Sequence, residues 1–171
     1  MNVIQKLQKY SLFFDKRIKE GLITDKIDMA ILSILQKDAR KPIKDIAKSV
    51  YLSSPAVSSR IEKLEKEGII TGYQAKVDLV KMGYYVTAYI DLSMPPSLKP
   101  KFYSFVERVP NVLECSCVTG EYSMHMKTAF HTTLELDRFV TNLQKFGQTS
   151  TQIVFSTNIE SRGIDFYTEN L

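Results

Sequence analysis

The chain of 171 residues is 44% hydrophobic, 25% charged and 11% aromatic, a globular balance that excludes collagen-like, low-complexity and extensively disordered readings. Its formal charge of +4 is uneven: residues 1–80 carry 15 Lys/Arg against 10 Asp/Glu, residues 81–171 carry 8 against 9. No apolar run approaches the ~20 residues of a membrane span, no secretory pattern stands at the N-terminus, and two cysteines make no disulfide framework, so a protein of the reducing cytoplasm with no membrane partner is expected.

Four segments follow along the chain. Residues 1–22 read as a helical extension, with Val3, Ile4, Leu7, Tyr10, Phe14, Ile18 and Leu22 on one face. Residues 23–68 read as three short helices. Asp25 or Thr24 caps the first, Asp28 lies in its positive first turn, and Ile27, Ile31, Ile34 and Leu35 form its buried stripe. Pro42 opens the second, whose apolar residues are Ile43, Ile46, Ala47 and Val50. After a break at Tyr51-Leu52, Ser53 or Ser54 caps the third; Val57, Ile61 and Leu64 are its inner face, and Gly68 stops it. Residues 69–83 read as a linking strand or arm.

Residues 84–171 alternate strand and helix. Val86, Ala88, Ile90 and Leu92 alternate with Tyr85, Thr87, Tyr89 and Asp91 in a first strand. A helix follows Pro95-Pro96 and ends at Pro110. Strands 112–119 and 122–129 meet in a hairpin at Gly120-Glu121. Thr132 and Glu135 make a capping box for a second helix, and a last strand runs near 149–159. The fold class is therefore α+β: a winged-helix-like helix-turn-helix domain followed by a ferredoxin-like βαββαβ domain.

Two short helices, a tight break and a third helix with a capped polar start are the helix-turn-helix pattern, in which the third helix enters the major groove of DNA. On a 100° wheel Pro55, Ser59, Glu62, Lys63 and Lys66 lie opposite the apolar centre, with Ser58 beside them. Small hydroxyl residues permit close approach to base edges. Arg60 and Lys63 can reach phosphates, and the helix N-terminus with Ser53 and Ser54 can receive one. Double-stranded DNA is the expected partner.

The residues themselves carry a resemblance. Ile23-Thr24-Asp25-Lys26-Ile27-Asp28 leads to Leu35-Gln36-Lys37-Asp38-Ala39-Arg40, then Asp45-Ile46-Ala47, Leu52-Ser53, Arg60-Ile61-Glu62-Lys63-Leu64-Glu65, Gly68-Ile69-Ile70 and Gly83-Tyr84. Val118-Thr119-Gly120-Glu121-Tyr122 and Ile153-Val154-Phe155-Ser156-Thr157 continue it. Over roughly residues 23–160 the chain resembles the Lrp/AsnC, or feast/famine, transcription regulators. The resemblance implies homodimers formed by face-to-face sheets, octamers built from those dimers, and pseudo-palindromic operators. It also implies an amino-acid effector bound between dimers, near the hairpin residues Gly120, Glu121, Tyr122 and Ser123 and near Thr149 and Thr151. The chain departs from the family pattern at three places. Tyr51 stands where glycine is usual, and a bulky residue strains any left-handed conformation needed there. Ser123 replaces an Asp able to pair with a ligand ammonium. Ser150 replaces an Arg.

Other features read as structural. Cys115 and Cys117 share a strand face with Leu113, which suggests buried packing. His125, with Ser123 and Lys127, faces away from Met124 and Met126, towards an interface to which Tyr85, Tyr89, Val118 and Val154 add apolar surface. No nucleophile–base pair, phosphate loop or metal-ligand set stands out, so no catalytic residue, metal or cofactor is assigned. The rival readings are an enzyme on the same frame, similar to the haem-pathway decarboxylases, and a non-specific architectural DNA binder. Scarce histidines weigh against the first.

Overall fold

The computed structural model describes residues 24–164 and Phe166; the helix expected over residues 3–22 lies outside them. The chain divides into two compact units between Ala75 and Lys76, with the segment from Ser161 onward grouped with the first. The division falls before the turn at 79–83 because that turn is tied to the second unit. The ring Nδ1 of His131 pairs with the Gly83 carbonyl oxygen at 2.8 Å, and Tyr84 stacks on the same imidazole at 4.1 Å between centroids.

The first unit holds α1 (Lys26–Lys37), α2 (Ile43–Ser49) and α3 (Ser54–Lys66). Ile31, Ile46, Ala47, Val57 and Ile61 make its buried centre, as the 3.6-residue spacing predicts. Asp25 caps α1, and its box partner is Asp28, whose backbone N–H donates to Asp25 Oδ1 at 2.8 Å. Ser53 caps α3, with Pro55 in the first turn. Gly68 ends α3 with φ 68°, and the N–H of Ile69 donates to the Leu64 carbonyl at 2.9 Å, closing a Schellman turn. Residues 69–78 pair with no strand among the described residues, and Ile70 packs against the buried centre of the first unit.

The second unit contains β1 (Val86–Ser93), a 3₁₀ turn (Pro96–Leu98), α4 (Lys99–Val106), β2 (Val112–Cys117), β3 (Met124–Phe130), α5 (Thr133–Leu143) and β4 (Gln148–Ile153). The sheet order is β2-β3-β1-β4, and every pairing is antiparallel. This is the expected ferredoxin-like plan: each crossover helix joins two strands that flank a third. Phe102 and Val106 of α4 and Leu136, Phe139 and Leu143 of α5 cover one sheet face, packing on Ala88, Ile90, Leu92, Met124 and Met126. Gly147 precedes β4, where a Cβ would overlap the carbonyl oxygen of Ser93.

Three details differ from the sequence reading. β4 ends at Ile153 rather than near residue 159: its register with β1 stops at Ala88, and one further bond, Val154 N–H donating to the Thr87 carbonyl, follows. The hairpin loop spans 118–123, closed where Val118 N–H donates to the Ser123 carbonyl at 3.0 Å. Cys115 and Cys117 are exposed rather than buried: a bulge between Val112 and Glu114 turns Leu113 outward, and β2 is an edge strand beyond the reach of α5. Partial desolvation, and then the neighbouring Cys117, push the Cys115 thiol up.

Phe102 is fully buried between sheet and helices. Phe102→Ala is expected to cost about 3–5 kcal/mol of stability, read as a lowered midpoint in urea. A loss under about 1 kcal/mol, the scale of volume-conserving swaps, would show that this core is not tightly packed.

Candidate nucleic-acid interface and effector loop

Thirteen residues of α3 make a rod of about 20 Å. Val57, Ile61 and Leu64 are buried, and the opposite stripe of Pro55, Ser59, Glu62, Lys63 and Lys66 is exposed, as the wheel predicts. Ser53 is exposed at the helix start, where its Oγ accepts from Ala56 N–H at 3.4 Å; Ser54 and Ser58 are half-buried on the flanks. An uncovered helix of this width fits a major groove about 12 Å across.

Arg60 is placed differently from the sequence expectation. Its Nη1 donates to Asp25 Oδ2 and to Asp28 Oδ1, both at 2.7 Å. Each carboxylate thus uses one oxygen to cap α1 and the other to hold α3. The guanidinium is an interhelical tie rather than a free phosphate contact. The wheel contains the signal, since Arg60 lies about 70° from the centre of the apolar stripe and not opposite it. Asp28 N–H first, and the Arg60 guanidinium second, hold the Asp25 carboxyl below the ordinary carboxylate range.

Sequence reasoning missed Lys44 and Lys48, one turn apart on α2 and both exposed. It also missed the role of Tyr73, whose hydroxyl donates to Glu65 Oε1 at 2.7 Å. Partial burial, and then that carboxylate, push the Tyr73 phenol up to about 12. The break between α2 and α3 does need a left-handed residue. Tyr51 has φ 54°, and Leu52 N–H donates to the Ala47 carbonyl at 3.0 Å, the closing bond of a Schellman turn.

In the second unit, Gly120 (φ 115°), Glu121 and half-buried Tyr122 sit in the β2–β3 loop. Ser123 is anchored: its backbone N–H and Oγ both donate to the Leu92 carbonyl, at 3.0 and 3.2 Å. Thr149 and Thr151 lie on β4, paired with Leu92 and Ile90 on the other side of β1. Within one chain they stand two strand spacings from β3, about 10 Å, and do not join the loop residues in one pocket. The face opposite the helices carries a polar network. His125 Nδ1 lies 2.7 Å from Asp91 Oδ1, Gln152 Nε2 donates to Asp91 Oδ2 at 3.4 Å, and Tyr89 stacks on His125.

A helix-turn-helix unit with an open polar recognition face, followed by a separate ferredoxin-like domain, defines a DNA-binding regulator with a sensory module. Comparisons with known proteins agree. Residues 24–71 match the family model described as winged helix-turn-helix DNA-binding, and residues 87–164 match that of the Lrp/AsnC ligand binding domain. The chain is 36% identical over 134 residues to the uncharacterized HTH-type transcriptional regulator YezC of Bacillus subtilis, covering 78% of this chain and 95% of that one. The solved structure of B. subtilis LrpC superposes with a TM-score of 0.77 at 27% identity, covering 82% of this chain and all of the other. That of E. coli AsnC gives 0.76 at 28% identity, covering 84% and 99%. The chain belongs to the Lrp/AsnC family of transcriptional regulators.

The Arg60 tie has a testable consequence. Arg60→Ala strands the buried Asp28 carboxylate and is expected to cost about 1–3 kcal/mol, seen as a lower melting temperature. Because the Asp25 carboxyl is depressed in the folded state, its contribution is complete above about pH 4 and lost as pH falls through its lowered value. Arg60→Ala therefore also flattens the acid limb of the stability profile. An unchanged melting temperature and acid limb would remove the tie.

Proposed function

We propose that α3 reads operator DNA, with Ser53, Ser54, Pro55, Ser58 and Ser59 against base edges and the adjoining backbone. Lys63 contacts phosphate, and Lys44 and Lys48 of α2 follow the flanking strand. The observation carrying this reading is the exposed stripe of α3, lined by hydroxyls at its start and lysines towards its end. Of the seven positions that the sequence assigns to DNA, Arg60 is spent in a tie between helices, and Ser53 Oγ also caps α3.

A homodimer presents two such helices about 34 Å apart, one turn of DNA. Support for dimerisation through the sheet comes from the face that no helix among the described residues covers. It carries Tyr89 and Tyr85, 36% and 71% exposed, around the His125–Asp91 pair. An amino acid or related small molecule is the proposed effector, held by Gly120, Glu121, Tyr122 and Ser123. The separation of Thr149 and Thr151 from that loop within one chain favours a site completed between copies, as in an octamer built from four dimers. With Ser123 in place of an acid, the ligand ammonium meets a hydroxyl already bonded to Leu92, so Glu121 is left as the loop's charged partner. Ligand binding then acts by changing the assembly, and with it the spacing of the two reading helices.

Selection of bound duplexes from a random pool, with and without an amino-acid mixture, tests this reading. A specific regulator prefers its site by about 10³-fold or more; equal binding to random duplex would leave the architectural role instead. Lys63→Ala is expected to weaken all duplexes alike and to flatten the salt slope by about one unit for each phosphate left without its lysine, whereas Ser59→Ala changes which sequence is preferred. Tyr122→Ala is expected to abolish the effector response with DNA affinity of the isolated dimer retained. Unaltered affinity and slope in the first two variants would take α3 out of the groove.

A further inference from the structure

Among the described residues, Tyr51 is the one non-glycine residue with positive φ. The turn demands that conformation, since it is what brings Leu52 N–H onto the Ala47 carbonyl and sets α3 at its angle to α2. Glycine would adopt it without steric cost. A tyrosine meets steric resistance there, because its Cβ crowds the backbone in the left-handed region. Such strain persists where something else compensates it.

The turn's closing hydrogen bond and the packing of its neighbours hold the backbone there, but among the described residues the ring itself adds nothing. Tyr51 is 94% exposed, and its side chain is absent from the buried cluster that takes up both neighbours, Val50 and Leu52. Its position gives the direction of the missing partner. Tyr51 stands two residues before Ser53, the cap of α3, and three after exposed Lys48. The exposed phenol is thus carried by the turn between the helix proposed to read bases and the helix whose lysines flank it. Its hydroxyl is a neutral donor suited to a phosphate oxygen, and its ring can pack on a sugar.

We propose that Tyr51 contacts the DNA backbone, its hydroxyl donating to a phosphate beside the major groove entered by α3. This inference rests on the DNA-reading role of α3. The strained turn is then a cost to the free protein that DNA binding offsets. A neutral donor also distinguishes this contact from those of the lysines: it adds affinity without releasing a counterion.

The test uses the full chain and the duplex recovered by selection. Tyr51→Phe is expected to lower affinity about 3- to 10-fold, with the melting temperature and the slope of log affinity against log salt unchanged. Tyr51→Gly is expected to raise the melting temperature and to weaken binding at least as much. Lys63→Ala, run in parallel, lowers the slope. Wild-type affinity in Tyr51→Phe or Tyr51→Gly overturns the proposal, as does an altered slope in Tyr51→Phe. So does a lowered melting temperature in Tyr51→Gly, which would mean that the ring supports the fold. Altered subunit number in sedimentation, with DNA affinity kept, overturns it in favour of a protein contact. Loss of the Lys63→Ala effect as well would instead remove the groove reading itself.

Discussion

One guanidinium holds α3 in place. Arg60 sits on the border of the apolar face of α3 and donates to two carboxylates that also cap α1. The carboxylate of Asp28 is almost fully buried, so leaving it unpaired is costly. Val57 and Ile61 supply most of the attraction between helices, but apolar contact is indifferent to small rotations and slides. The paired acids fix both distance and azimuth, because each oxygen is already committed. On the proposed reading α3 must present the same stripe every time, and this interaction makes its azimuth single-valued.

The second unit solves a different problem with the same economy. A sheet with both helices on one side leaves the other side open. Here the open side carries neither a dry aliphatic surface nor a fully charged one, but aromatic rings laid over a His125–Asp91 pair and a glutamine. In the proposed dimer such a surface offers directional partners to a second sheet, and its polar pairs fix register where an aliphatic face would slide.

In the loop between β2 and β3, Ser123 is tied to Leu92 of the central strand, whose outer residues Tyr89 and Asp91 line the open face. On the proposed reading, a small ligand at the loop has a short, packed route to the interface between copies.

Local patterning determined a great deal unaided. Three helices, their caps at Asp25 and Ser53, the stop at Gly68 and the βαββαβ order follow from period, cap chemistry and turn residues, all interactions within a few positions along the chain. The exposed stripe of α3 follows for the same reason, whereas the left-handed conformation of Tyr51 was raised only by the family resemblance and was decided by the structure. Tertiary structure alone decided the rest. Arg60 was diverted from DNA by acids 32 and 35 positions away. The two cysteines were left exposed by a bulge and by an edge position that only strand order reveals. Thr149 and Thr151 were parted from Ser123 by the insertion of β1 between them. Each outcome depends on which distant segments become neighbours, and periodicity carries no information about that.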